Sequence, residues 1–418
     1  MIKNKAIIIV QMALLLSTGT GATANPAERY VISDYGAVAD GQTLNTKAIQ
    51  SAIDQCMSHG GGTIVVPEGI FLSGAVFLKQ GVNLHIEKGG VLKGTVNPED
   101  YPQVFTRWEG IECEWTSAFI NVFDMTGVHL TGEGTIDGSG DQWMERYPRG
   151  SKELHVGRPR LIAIQNCTYV LVSGLSLKNQ ACWGLFILYS RDVIAENLTI
   201  RAKHNIISSD GIDIDSSKDI HITGCDIDVN DDCISIKSGK DEDGLRVNRP
   251  AEEILIEKCR FRYGHGGVAI GSEMSGGIRN VEIRDCIMEA DNWAPIRFKS
   301  QPSRGGVVEN ITYRDIVLQN TQKAFEFNME WRMRPPIKPA SDPLPVVRNI
   351  NIINVSGTVQ SVGDMHGLKD SPIQNVIFKN CEITAQKGFI IENVEGLDIS
   401  GLTIIVEEGE AIIYNDTQ

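Results

Sequence analysis

Ten times between residues 127 and 404 the chain repeats one short pattern. Apolar or β-branched residues alternate with polar ones, a Gly, Asn, Asp or Lys follows, and a second alternating pair completes the copy. It reads GVHLTGEGTI from Gly127, YVLVSGLSL from Tyr169, DVIAENLTI from Asp192, DIHITGCDI from Asp219 and EILIEKCRF from Glu253. It continues as NVEIRDCIM from Asn280, NITYRDIVL from Asn310, NINIINVSG from Asn349, NVIFKNCEI from Asn375 and GLDISGLTI from Gly396. Successive copies start 21 to 42 residues apart. Strands this short at a bounded period, with no helical pattern between them, predict a solenoid in which each turn buries alternate side chains and stacks on the next. The expected rung spacing is about 4.8 Å. The fold class is therefore all-β, one β-helix domain over residues 25–418, and the repeat overrides the two or more domains that length alone suggests.

One segment stands outside the ladder. In NTKAIQSAIDQCMSHGG, Ile49, Ala52, Ile53, Cys56 and Met57 fall on one face of a helix expected over residues 45–60. Asn45 or Thr46 can cap its start and Gly60 can end it, and its expected place is over the open amino-terminal edge of the coil. Before it, Lys3 and Lys5 precede the apolar run AIIIVQMALLL and the small residues Ala22-Thr23-Ala24, the pattern of a secretory signal peptide over residues 1–24. That run is short for a membrane span, so the expected mature chain of 394 residues is exported, periplasmic or secreted. The formal charge is −14, or −16 without the two early lysines, which argues against nucleic acid or an anionic membrane as partner. Nine cysteines cannot all pair within the chain. Cys225, Cys259, Cys286 and Cys381 share one place in the repeat and read as an internal stack of small core side chains, with no cysteine–histidine spacing for zinc.

Each turn carries a further short strand: IDID from Ile212, ISIK from Ile234, VAIG from Val268, IRFK from Ile296 and FEFN from Phe325. With the apolar residues in phase, the alternate residues share the outward face. That face presents Asp213 and Asp215, Ser235 and Lys237, Ala269 and Gly271, Arg297 and Lys299, and Glu326 and Asn328. Asp210 stands two residues before Ile212, Asp232 two before Ile234, and His265 takes the place of Asp231 one turn on. A bend ahead of the strand can aim both Asp231 and Asp232 outward. Three carboxylates, an imidazole, a guanidinium and an ammonium then gather on about four rungs, a span of roughly 15 Å. Solvated wall charge would explain one such pair, but not both signs clustered at equivalent positions. The run Gly264-His265-Gly266-Gly267 reads as removing bulk beside the imidazole for a ligand.

Carboxylates crowded in this way cannot all ionise normally, so one should keep its proton towards neutral pH. A protonated carboxyl beside ionised ones is acid–base equipment for glycoside hydrolysis, and Arg297 with Lys299 can hold an anionic group of the substrate. An acidic sugar polymer fits both halves.

The segments SSDGIDID, NDDCISIKSG, YGHGGVAIGSE and IRFKS resemble, in order and spacing, the signature of the polygalacturonase family of glycoside hydrolases. The similarity extends to YGAVADG, GTIDGSGDQW, GRPRLI and GLKDSPIQNV. The resemblance implies a right-handed parallel β-helix and inverting cleavage of α-linked galacturonic acid in pectin-type substrates, without metal or other cofactor. It makes Asp231 the general acid, Asp210 and Asp232 the groups that activate water, His265 their tuner, and Arg297 and Lys299 the grip on a galacturonate carboxylate. Ser208-Ser209 replace the family's Asn-Thr before Asp210, and Phe298 replaces its isoleucine between Arg297 and Lys299 as a packing change. Rhamnogalacturonan is the alternative substrate. A calcium-dependent pectate lyase and a non-catalytic carbohydrate-binding β-helix are the competing readings. The basic, Pro-bearing loops 146–159 and 331–343 are expected to wall off one end of the groove, giving exo action by a monomer. Five glycosylation sequons, at Asn166, Asn197, Asn310, Asn354 and Asn415, read as chance matches on polar strand ends.

Overall fold

The computed structural model describes residues 28–147, 157–289, 292–331 and 338–415. The expected signal peptide lies outside these residues, as do positions 148–156 and 332–337 of the two loops. Among the described residues, 31 strands form one continuous parallel system wound as a right-handed β-helix. No helix in them is long and apolar enough to cross a membrane.

The coil turns where the repeat predicts. All ten residues that begin a copy, from Gly127 to Gly396, have φ between +53° and +72°. This left-handed bend is tolerated best by Gly, Asn and Asp, which explains their recurrence at a fixed place. The asparagines then stack. Asn310 Nδ2 donates to Asn280 Oδ1 at 3.1 Å, and Asn349 and Asn375 continue the ladder at 3.2 Å each. At the next bend Asn354 donates to Asp315 (2.7 Å) and accepts from Asn380 (2.8 Å). Two of the sequon asparagines, Asn310 and Asn354, are thus held in these ladders.

Beyond that second bend lies the cysteine column. Cys225, Cys259, Cys286 and Cys381 are buried with free thiols, each donating to the carbonyl two residues back at 3.1–3.5 Å. Ile316 and Val355 fill the rungs between Cys286 and Cys381. No disulfide links any of the cysteines among the described residues.

The amino-terminal helix spans Thr46–Ser58 and buries Ile49, Ala52, Ile53 and Cys56. It packs beside the first strands, Arg29–Val31 and Gly62–Val66. Met57 is 41% exposed, at the margin of the apolar stripe rather than within it. Neither expected residue caps the helix with its side chain: Asn45 binds Val38 and Thr43, and Thr46 Oγ1 accepts from Gly74 N at 2.7 Å. Gly60 follows the last turn at φ +94°.

One element has no counterpart in the sequence reading. Gln103–Trp108 and Ile111–Thr116 form an antiparallel hairpin outside the coil, folded over its outward face. Trp108 packs there against a second apolar cluster made of Ala118, Ala163, Trp183, Phe186 and Leu188. The Arg160 guanidinium lies 5.3 Å, 4.9 Å and 4.2 Å from the rings of Trp108, Trp183 and Phe186.

Candidate active site

Ile212, Ile234, Val268, Ile296 and Phe325 pair rung on rung and are fully buried in the coil. Their neighbours therefore face outward in one column, Asp213, Ser235, Ala269, Arg297 and Glu326. Asp215 pairs with Lys237 beside them, and Lys299 with Asn328. Phe298, between the two basic residues, points inward and stacks on Phe327 at 4.3 Å.

The lead-in segments to these strands are pinned across three rungs. Gly211 N donates to Asp232 O at 3.0 Å, and Cys233 N to Gly266 O at 2.7 Å. Asp231 Oδ1 accepts from the Asp232 amide at 3.0 Å, and this bend sends the two side chains to different places. Asp232 is 1% exposed and meets Lys299 Nζ at 2.6 Å and Arg297 Nη1 at 3.4 Å. The Asp231 side chain is 30% exposed and lies 3.5 Å from His265 Nδ1, itself 52% exposed. Asp210, Asp231 and Asp232 each bring one oxygen within 4.8 Å of the others. The structure thus draws together all six residues singled out from the sequence.

The glycines around His265 do something other than expected. A Cβ on Gly266 would meet Asp232 Oδ1 at 2.7 Å, and one on Gly264 would meet Asp231 O at 2.7 Å. Their absent side chains let this rung close onto the two aspartates, rather than leaving room for a ligand. Ser209 keeps a local role despite departing from the family pattern. Its hydroxyl donates to Ile206 O at 2.7 Å and accepts from Asn230 N at 3.2 Å, tying two lead-in segments together.

Burial, then the charges of Asp213 and Asp231, push the Asp210 carboxyl well above its ordinary range. Asp231 suffers the same desolvation but is held low overall by the hydrogen bond and charge of His265, and the imidazole is raised in return. The proton the crowd must keep therefore rests on Asp210 and on the imidazole, not on Asp231. The three groups titrate together, so their proton count belongs to the cluster.

Several partners escape the sequence reading. Glu326 binds Arg297 Nε at 2.5 Å, and Glu273 meets Lys237 Nζ at 3.1 Å. Lys237 also lies 3.5 Å from Asp213, a fully buried carboxyl pushed up to about 7 chiefly by desolvation. Arg107, from the hairpin, reaches Asp215 at 2.6 Å, and Trp331 covers Arg297 with its ring centroid 4.7 Å from the guanidinium carbon. Glu326 and Lys237 are visible on the outward face; Glu273, Arg107 and Trp331 come from loops and the hairpin, whose docking the strand register does not encode. The trio also has the oxygen donors for a divalent cation. Lys299 and His265 already compensate two of its charges, however.

Carboxylates poised to exchange a proton, facing fixed cations on a parallel coil, define a class of solenoid enzymes that cut acidic glycans. The chain belongs to glycosyl hydrolases family 28, whose family model matches residues 56–403. It is 30% identical over 402 residues to a probable polygalacturonase of Vitis vinifera, covering 90% of this chain and 81% of that protein. It is 28% identical over 337 residues to an exo-poly-α-D-galacturonosidase of Dickeya chrysanthemi, covering 70% of this chain and 55% of that protein. The structure matches that of a hyperthermoactive exopolygalacturonase from Thermotoga maritima at 30% identity and a TM-score of 0.80, over 91% and 92% of the two chains.

Proposed function

We propose that this chain is an exo-acting glycosidase hydrolysing α-linked galacturonic acid in pectin-type polysaccharides or oligosaccharides, with inversion at the anomeric carbon. The observation that carries the reading is the Asp210–Asp231–Asp232 trio set against Lys299 and Arg297. The family and its exo-acting relatives support it. The amino-terminal pattern supports export, which would bring the enzyme to a substrate outside the cell.

Asp231 is the most open of the three carboxyls and sits where a glycosidic oxygen can approach. It and His265 share one proton between them, and water exclusion by substrate favours the neutral arrangement in which the carboxyl carries it. Asp231 then protonates the leaving oxygen as the carbon–oxygen bond breaks. A water between Asp210 and Asp232 bonds to the anomeric carbon as its proton passes to Asp232, while Asp210, which keeps its own proton, orients the water. Arg297 and Lys299 hold the carboxylate of the sugar on the leaving side.

The oxygen spacing within 4.8 Å is tighter than the roughly 6.5–9.5 Å usual for an inverting acid–base pair. Inversion here rests on water sharing two carboxylates on one side, and stereochemistry is its sharpest test. Proton NMR of the first product should show the β-anomer; an initial α-anomer would mean a covalent intermediate. Asp231→Asn should fold normally yet lose about 10³-fold or more in kcat. Activity within tenfold of wild type would remove Asp231 from the acid role.

A further inference from the structure

We propose that Trp293 is a platform for the sugar on the leaving side of the scissile bond, its indole stacking on that ring while Arg297 and Lys299 hold the carboxylate. This rests on the function above and adds a substrate contact that neither the trio nor the basic pair supplies.

Among the described residues Trp293 is the one exposed tryptophan, at 39%. Its place in the coil puts it beside the chemistry. His265 N donates to Asp231 O at 3.0 Å, and Gly264 and Gly266 pair with Asn292 and Ala294 of the next rung. Asp231, His265 and Trp293 therefore occupy one position on three successive rungs, each about 4.8 Å from the next. The order runs from the acid towards the leaving side. Trp293 also shares its strand, Asn292–Lys299, with both cations. A pyranose ring is about as long as one rung spacing, so a sugar that runs from Asp231 to Arg297 passes the indole.

A lone exposed aromatic residue is ordinary on a protein surface. This one is held by its neighbours. Trp293 Nε1 donates to Glu326 Oε1 at 3.3 Å, and the other oxygen of that carboxylate accepts from Arg297 Nε at 2.5 Å. Lys323 Nζ lies 5.5 Å from the indole centroid and is itself tied to Glu326 at 3.2 Å and to Asp364. One carboxylate thus orients both the indole and the guanidinium. Galacturonate suits the two together. It carries its carboxylate at the ring edge and the hydrogens of C3, C4 and C5 on one apolar face, which can lie on an aromatic ring.

The test compares trigalacturonate with α-galacturonosyl fluoride, which share the cleaved sugar and differ in whether a ring leaves. Trp293→Ala should lower the ratio of kcat/KM on trigalacturonate to that on the fluoride by about 10- to 100-fold. Trp293→Phe, which keeps a stacking face, should hold the ratio within about threefold of wild type. A ratio unchanged in Trp293→Ala, or lost equally in Trp293→Phe, would overturn the proposal while leaving hydrolysis of the galacturonide intact. Failure of the wild-type enzyme on both substrates would instead sink the functional reading, and this proposal with it. A second measurement does not depend on those variants folding. In the Asp231→Asn enzyme, N-bromosuccinimide should oxidise Trp293, and saturating trigalacturonate should slow that oxidation several-fold, read by peptide mass mapping. Oxidation at the same rate with and without trigalacturonate would show that the sugar does not cover this indole, and the proposal would fall.

Discussion

Two ion pairs on this coil look alike and behave differently. Lys299 meets Asp232 at 2.6 Å on the outward column, and Arg348 meets Glu309 at 2.7 Å on the strands that follow the Asn bend. Both link different turns. The first pair is 9% and 2% exposed, the second 44% and 22%. An exposed pair of this kind contributes about 0–1 kcal/mol. Burying one costs several kcal/mol in desolvation per ion, which the mutual attraction only partly offsets. The same strand period therefore supplies a solvated ladder on one side and a strained, preorganised cluster on the other. Trp331 helps make that difference, its ring centroid 4.7 Å from Arg297 and 5.6 Å from Lys299.

The largest effect should come from breaking the buried pair. Lys299→Ala leaves Asp232 sealed without its nearest cation, at an expected cost of about 3–5 kcal/mol in unfolding free energy. Denaturant unfolding measures it. Combining the change with Asp232→Asn should recover much of the loss, because no uncompensated charge remains. An unchanged midpoint in the single variant would show that water reaches Asp232 freely, and the contrast between the two pairs would disappear.

Much of this contrast is legible in the amino-acid sequence. The repeat locates the bends because a left-handed φ restricts residue choice, and inward phase defines the outward column because side-chain direction alternates by two. Those two rules are enough to bring Asp210, Asp231, Asp232, His265, Arg297 and Lys299 to one place. The hairpin escapes them although a signal exists: Glu109 and Gly110, with φ +43° and +81°, form the two-residue turn between alternating segments. Its docking is not legible, because contacts such as Arg107 with Asp215 join residues 108 positions apart without any periodic pattern. The glycines near His265 mislead for a related reason. A missing side chain looks the same in sequence whether a ligand or a neighbouring rung takes the space.

The next effect isolates desolvation from pairing. Asp213 is raised from 3.8 to about 7, chiefly by burial and against the opposing pull of Lys237. Between these values the folded chain holds a proton that the unfolded chain has lost. Its contribution to stability is thus full below about pH 4 and disappears as pH rises through about 7. Asp213→Asn removes the titration. Relative to wild type, the variant should gain on the order of 2–3 kcal/mol between pH 5 and pH 8. A difference that stays flat with pH, or runs the other way, would mean that Asp213 is ionised throughout and that the outward face is wetter than its burial indicates.

The smallest effect completes the contrast. Arg348→Ala should cost no more than about 0.5–1 kcal/mol, since both partners face solvent and Glu309 is rehydrated when the guanidinium goes. Whatever is lost should shrink in 1 M salt, where screening acts over about 3 Å. The Lys299–Asp232 pair, only 9% and 2% exposed, should keep most of its effect under the same condition. Product pattern and kcat should be untouched, because the pair lies on a different face of the coil from the trio. A penalty above about 2 kcal/mol, insensitive to salt, would place Arg348–Glu309 in the same energetic class as the buried pair. Exposure would then not be what separates the two faces, and some feature of the outward column other than its burial would have to account for the preorganised cluster.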